Sequence, residues 1–152
     1  MALVSTGAPS PKTIAALARF RYQLRRFLRF SERAARQAGL TPQQHQLLLG
    51  VAGHTGRGWA TLSELAEFLQ ERHNAVVGLA DRAQRVGLVR KQTVARDRRF
   101  VRVELTPKGR RILHRLSALH RRELGRFEDL ARLAFAQSAI ARVRKTGKRG
   151  KR

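Results

Sequence analysis

The spacing of apolar residues changes twice along this sequence, and that change restricts the fold more than any other feature. Up to about residue 86 the apolar residues recur at the roughly 3.6-residue period of helices. Between residues 88 and 105 they alternate, which predicts two strands over 88–92 and 100–105 joined by residues 93–99. The helical period then returns and continues to about residue 140. Helices on both sides of one hairpin indicate a mainly α fold of the α+β class.

Two of the predicted helices begin at paired capping signals. Thr41 is followed by Pro42 and Gln44, and Thr61 is followed by Glu64. In such a capping box the hydroxyl accepts a hydrogen bond from the third helical residue, whose side chain bonds back to the cap. The helix after Thr61 covers about 62–69 and is followed closely by another at about 72–86. Two helices joined this closely predict a helix-turn-helix.

The order of these elements, with a short edge strand at residues 59–61, predicts a winged helix-turn-helix with long flanking helices that form a dimerisation region. The N-terminal helix carries an apolar seam of Leu17, Phe20, Leu24 and Phe27, which could pack within the domain or on a second copy of the chain. The predicted divisions are a flexible leader (1–12), a dimerisation helix (13–38), the winged helix-turn-helix (40–106), C-terminal dimerisation helices (107–141) and a disordered basic tail (142–152).

The charge of the chain points to a polyanionic partner. There are 33 Lys and Arg residues against 10 Asp and Glu residues, which gives a formal net charge of +23. A folded protein with this charge repels itself unless a polyanion or counterions compensate, so nucleic acid is the expected partner. The absence of cysteine excludes disulfides and thiol switches. No apolar run is long enough to span a membrane, and we expect a cytoplasmic protein with no membrane partner.

Signals for an enzyme or a metal site are lacking in the sequence. There is no Gly-rich phosphate loop, no pair of nucleophile and base, and no paired acids. The five histidines show no spacing of three or four residues, so a metal site would need tertiary contacts to assemble. We therefore expect no catalytic residues, no metal and no cofactor.

From about residue 40 to residue 116 the sequence resembles transcription regulators of the MarR family. The most specific segment is GLVRKQTVARDRRFVRVELTPKG at 87–109, with a Gly-Leu-Val helix exit, an Asp-x-Arg at Asp97 and Arg99, and a Leu-Thr-Pro-x-Gly start of the next helix. Residues 93–96 depart from the Asp-Pro turn of the family, and Arg72 replaces its small hydroxyl cap. The resemblance fades after about Leu124.

The resemblance implies a homodimer on palindromic double-stranded DNA, with the recognition helix in the major groove, the wings at the minor groove, and often a small aromatic or phenolic effector. Asn can bond adenine bidentately, and Arg suits guanine or a narrow minor groove. Asp97 is expected to brace the wing by orienting a neighbouring Arg. The candidate DNA contacts are Arg72, His73, Asn74, Val77, Gly78, Arg82, Arg96, Arg98 and Arg99.

Several of these residues also have a purely structural interpretation. His73 and Asn74 could be polar surface at a helix start, and Gly78 could serve either close approach to DNA or packing. Polar and aromatic residues in segments that could border the ligand cleft of the family are Tyr22, Arg26, His45 and Trp59. Tyr22 and Trp59 could instead pack against the core.

Taken together, the sequence predicts a sequence-specific DNA-binding transcription regulator, acting as a ligand-responsive repressor. The alternative is a nucleoid-type architectural protein that uses the same fold and binds DNA with little sequence specificity. The high net charge favours this alternative, whereas the recognition helix and the wing favour a regulator.

Overall fold

The computed structural model describes residues 8–54, 56–94 and 97–146, with the backbone alone for residues 94, 97–99 and 127–146. Helices and strands follow in the predicted order. They are α1 (Pro11–Gln37), α2 (Pro42–Gly53), β1 (Trp59–Thr61), α3 (Leu62–Leu69), α4 (His73–Arg85), β2 (Val89–Val94), β3 (Asp97–Leu105) and α5 (Pro107–Thr146). The prediction of a mainly α fold with a small sheet is confirmed.

One compact unit, Ser31–His120, contains the helix-turn-helix and the sheet. Both predicted capping boxes are present, at Thr41 with Gln44 and at Thr61 with Glu64. The aliphatic core of this unit draws side chains from α2, α3, α4 and β3, among them Leu47, Leu48, Leu65, Val76 and Val103, each 1% exposed or less. Burial of one face of α3 and α4 in this core leaves their other faces available for a partner.

The sheet is antiparallel, and β3 lies between β1 and β2. The predicted edge strand at 59–61 is confirmed. The hairpin strands are longer than predicted, because Thr93 pairs with Val101 and Val94 pairs with Asp97 across a register irregularity. Pairing is made by backbone groups and needs no apolar side chains, so the alternating pattern stopped short of the true strand ends.

The other compact unit comprises the described parts of residues 1–30 and 121–152. It contains most of α1 and the later part of α5. The side chain of Ile14 is 55% exposed and that of Leu17 is 53% exposed, while Phe20, Leu24 and Phe27 are half-buried. The apolar seam of α1 is therefore only partly covered within a single chain.

The chain ends differ from the predicted boundaries. α1 begins at Pro11, because proline suits a first helical position and Ser10 Oγ accepts a hydrogen bond from Thr13 N at 3.2 Å. α5 is one helix of 40 residues that reaches Thr146, past the predicted boundary at residue 141 and into the first residues of the predicted basic tail. Extending an existing helix adds one hydrogen bond per ordered residue, and Arg and Lys are good helix formers. Residues 1–7 and 147–152 lie outside the described residues.

Candidate nucleic-acid interface

The turn between α3 and α4 is made by a residue in the left-handed conformation. Gln70 has φ 54° and ψ 41°, and its backbone N–H donates to Ala66 O and Glu67 O. The N–H of Glu71 also donates to Ala66 O, at 3.0 Å. Glycine is the usual residue at such a position. Because glutamine occupies it here, the sequence contains no glycine signal for this turn. The last carbonyls of α3 are satisfied, and the chain reverses within a few residues to begin α4.

The first turn of α4 presents the predicted DNA contacts to solvent. Arg72 is the N-cap with extended backbone and no side-chain capping bond, and Arg72, His73 and Asn74 are all exposed. The opposite side of the helix is held in the core by Val76, Leu79, Ala80 and Ala83. Helical geometry places Asn74, Gly78 and Arg82 on the face away from that core. These helical members of the predicted set therefore share one element, whereas Val77, also predicted, is half-buried and packs against the core.

Gly78 has no packing reason to be glycine among the described atoms. A Cβ added there would meet only the terminal Nη1 of Arg82, at 3.3 Å. Gly109 provides the contrast, because a Cβ there would collide with the carbonyl oxygen of Leu88. Close approach to DNA as the reason for glycine at position 78 stays a prediction.

Two contacts that the sequence did not reveal join α4 to β2. The ammonium of Lys91 donates to the carboxylate of Asp81, and this hydrogen bond holds the pKa of Asp81 below its usual range. The backbone N–H of Lys91 donates to Gln84 Oε1 at 2.7 Å. The recognition helix and the first wing strand are therefore fixed to each other by polar contacts as well as by the core.

The tip of the wing carries the remaining predicted contacts. Arg96 lies outside the described residues, as do the side chains of Asp97, Arg98 and Arg99. Their roles as minor-groove contacts and wing brace stay predictions. Nearer the base of the wing, Arg90 of β2 lies 3.5 Å from the carboxylate of Glu104 on β3.

A stacked cluster surrounds Trp59 on the edge strand. The guanidinium of Arg57 lies 4.0 Å from the ring centroid, and that of Arg102 lies 4.2 Å from it. Arg57 also donates to both carboxylate oxygens of Glu64, at 2.9 and 2.8 Å. A hydrogen bond from the backbone N–H of Thr61, together with Arg57, lowers the pKa of Glu64 to about 2. The register that pairs Thr61 with Arg102 brings Arg102 to this cluster, and the sequence alone could not show it.

The residues predicted to border a ligand cleft have separate partners. Tyr22 lies under Arg26, with 6.0 Å between guanidinium and ring centroid. His45 is 1% exposed, and its ring centroid lies 4.9 Å from that of His120. Among the described contacts His45 and Trp59 share none, so the cleft stays a prediction.

The histidine pair is a buried polar group that the sequence did not reveal. His120 bonds to Leu116 O at 2.7 Å and to Ser31 Oγ at 2.8 Å. Burial, and then the charge of His120, lowers the pKa of His45 to about 4. In the part of the chain that the structure describes, no three His, Cys, Asp or Glu residues are grouped to hold a metal ion. No described helix is both long and apolar enough to cross a membrane.

Comparison with known proteins agrees with this geometry. The model of the MarR family matches residues 38–99. No curated protein matches the sequence. Among solved structures, the MarR family transcriptional regulator AbsC from Streptomyces coelicolor is 21% identical, with a TM-score of 0.68 over 93% of this chain and 99% of that one.

Two further structures have the same fold. A mutant of MepR from S. aureus, bound to an oligodeoxyribonucleotide, is 19% identical, with a TM-score of 0.60 over 85% of this chain and 93% of that one. BpsR from Bordetella bronchiseptica, whose DNA binding is regulated by 6-hydroxynicotinic acid, is 20% identical, with a TM-score of 0.61 over 84% and 94%. Residues 38–99 of this chain are therefore a MarR-family winged helix-turn-helix.

Proposed function

We propose that this protein is a sequence-specific DNA-binding transcription regulator that represses its target genes as a homodimer on a palindromic operator. The observation that carries the proposal is the exposed start of α4, where Arg72, His73 and Asn74 precede the outward Gly78. An amide at this position can bond an adenine edge in the major groove, and a missing Cβ allows the helix to approach closely. The protein acts by binding and has no catalytic role.

The contacts that hold α4 support specific recognition. Base readout needs a helix held in one orientation, since hydrogen bonds to base edges weaken steeply when misaligned. The bonds from Lys91 to Asp81 and Gln84 supply that restraint. The solved MepR complex with an oligodeoxyribonucleotide supports DNA as the ligand of this fold.

A small aromatic or phenolic effector is proposed to control DNA binding. BpsR, with the same fold, responds to 6-hydroxynicotinic acid. In this chain the proposed cleft residues are Tyr22, Arg26, His45 and Trp59. Because the sequence has no cysteine, control by thiol oxidation is chemically excluded, and a noncovalent ligand is the regulator we propose.

A second candidate function is that of an architectural protein that binds DNA with little sequence preference. One observation favours it: residues 38–106 carry 10 Lys and Arg against 6 Asp and Glu, so +19 of the net charge of +23 lies outside the winged helix. Charge outside the recognition elements contributes to affinity for any DNA.

Selection of bound fragments from a random DNA pool, followed by affinity measurement at physiological salt, separates the two functions. A specific regulator should bind the selected site roughly 10³-fold more tightly than random DNA or better, and the site should be palindromic. Asn74→Ala should weaken the selected site by about 1 to 3 kcal/mol and change random DNA little. If the wild-type protein bound selected and random DNA with nearly equal affinity, the result would support the architectural function instead.

A further inference from the structure

The excess charge of this protein is concentrated on its long helices. Residues 1–37 contain 8 Lys and Arg and a single acid, Glu32. Arg36 lies 3.8 Å from the carboxylate of Glu32. The arginines of α1 that precede Glu32 lie in residues 11–31, and this part of the helix contains no acidic residue.

Four of these arginines lie on one side of α1. At about 100° per residue, Arg19, Tyr22, Arg25, Arg26 and Arg29 fall within an arc of about 120°. All five side chains are exposed. We call this surface the α1 arginine face. The apolar seam of Leu17, Phe20, Leu24 and Phe27 is centred on the opposite side, so burial of the seam would leave the arginine face accessible.

The α1 arginine face lowers the stability of the isolated protein. Arg25 and Arg29 are four residues apart, and like charges at this spacing destabilise a helix. Among the described contacts of these residues, the only one is Arg26 over the ring of Tyr22. A solvated surface that served solubility alone would mix charges of both signs, whereas this face has neither an acid nor a lysine.

We propose that the α1 arginine face is a second DNA-binding surface, which contacts the phosphate backbone of double-stranded DNA without reading its sequence. A guanidinium fork matches two phosphate oxygens better than a lysine ammonium does. From Arg19 to Arg29 the helix rises about 15 Å, a length over which duplex DNA carries several phosphate charges. The exposed hydroxyl of Tyr22 can donate to another phosphate oxygen.

The test compares two full-length variants with equal charge. Arg25→Gln/Arg29→Gln removes two charges from the α1 arginine face, leaves the proposed cleft residue Arg26 in place and retains good helix formers. Arg90→Gln/Arg126→Gln removes two charges that are paired, at 3.5 Å with Glu104 and at 3.4 Å with Glu123. Each variant is titrated with a random-sequence duplex over a range of salt concentrations.

The α1 variant should lose affinity for the random duplex. The plot of its log affinity against log salt should be less steep by roughly 1.8, since each lost phosphate contact removes roughly 0.9 from the magnitude of the slope. The paired-arginine variant should keep the wild-type slope. Equal slopes in all three proteins, or equal losses in both variants, would overturn the proposal. Loss of binding to vesicles of anionic phospholipid with an unchanged DNA slope would overturn it in favour of a membrane surface.

The single variant Arg29→Gln keeps the test valid if the double variant fails to fold, and it should lower the slope by roughly 0.9. The inference rests on DNA as the partner, which the regulator and its architectural alternative share. Failure of this inference can be distinguished from failure of the proposed function. If the proposed function fails, the wild-type protein binds selected and random DNA with nearly equal affinity, whatever the α1 variants do.

Discussion

Gly78 and Gly109 show how two residues of one type can serve different purposes. At Gly109 a side chain would collide with the Leu88 carbonyl, whereas at Gly78 it would meet only the flexible end of Arg82. Glycine inside a helix costs roughly 0.5 to 1 kcal/mol relative to alanine. A position that keeps this cost without a packing reason is suited to contact with a partner.

Gly78→Ala should therefore raise the free energy of unfolding by roughly 0.5 to 1 kcal/mol and weaken binding to the selected DNA site. Urea unfolding and a binding titration on the same preparation measure the two effects. Gly109→Ala is the matched control, and it should destabilise the protein because backbone must move. If Gly78→Ala stabilised the protein and left DNA affinity intact, close approach of DNA would not explain this glycine.

Burial of His45 makes stability depend on pH. The pKa of His45 falls to about 4 in the folded protein from 6.5 for the unperturbed side chain. Between these values the unfolded chain binds more protons, so stability rises with pH across this window and is lost as the pH falls through it. The contribution is on the order of 3 kcal/mol.

His45→Phe keeps an aromatic ring in the same place and removes its titration. Its unfolding free energy should change less between pH 7 and pH 4 than that of the wild-type protein. Urea unfolding at several pH values in that range measures the difference. Parallel profiles for the two proteins would show that His45 does not contribute.

At the scale of elements, α4 begins less favourably than its neighbours. α2 and α3 start at threonines that form complete capping boxes, whereas the N-cap of α4 is Arg72 without a capping bond. A hydroxyl at an N-cap is typically worth about 1 kcal/mol. We propose that Arg72 serves contact with phosphate at the expense of helix stability.

Arg72→Ser should stabilise the protein by about 1 kcal/mol and weaken its binding to both selected and random DNA. Arg85→Ser makes the same chemical change in the last turn of the same helix. It should lower stability, because serine is a poorer helix former and a cation near the C-terminus favours the helix. Thermal unfolding and DNA titration of both variants give the comparison. Equal stability changes at the two ends would contradict the capping argument.

At the scale of the whole molecule, the seam on α1 and the charge of the chain act against each other. Large exposed apolar side chains such as Ile14 and Leu17 favour association. A net charge of +23 per chain opposes it, and added salt screens this repulsion. The proposed homodimer should therefore tighten as the salt concentration rises, opposite to the salt dependence of DNA binding.

Sedimentation equilibrium at micromolar protein over a range of NaCl concentrations measures this dependence. Leu17→Glu, which places a charge in the seam, should shift the population toward monomer at every salt concentration. A wild-type protein that stays monomeric at moderate salt would contradict the dimer proposal. A dimer that weakens with salt would show that ion pairs, and not the seam, hold it together.

Much of the helix-turn-helix could be predicted from the sequence because its signals are local. The capping partners Thr41 and Gln44 lie three residues apart, as do Thr61 and Glu64, and the switch of apolar period marks the hairpin. The exposed start of α4 also follows from helical spacing once its buried face is known. The strand ends were mislocated because backbone pairing continues where the side-chain pattern stops.

The contacts that position the site were decided only by the tertiary structure. Asp81 meets Lys91, Arg102 meets Trp59, and His120 meets both His45 and Ser31 through packing of separate elements. Such contacts depend on strand register and on which helix faces meet, and no local spacing encodes either. By itself the sequence determined the order of the elements, their caps and the charge of the chain, because these depend on neighbouring residues and composition. Packing decided which of the distant polar residues became partners.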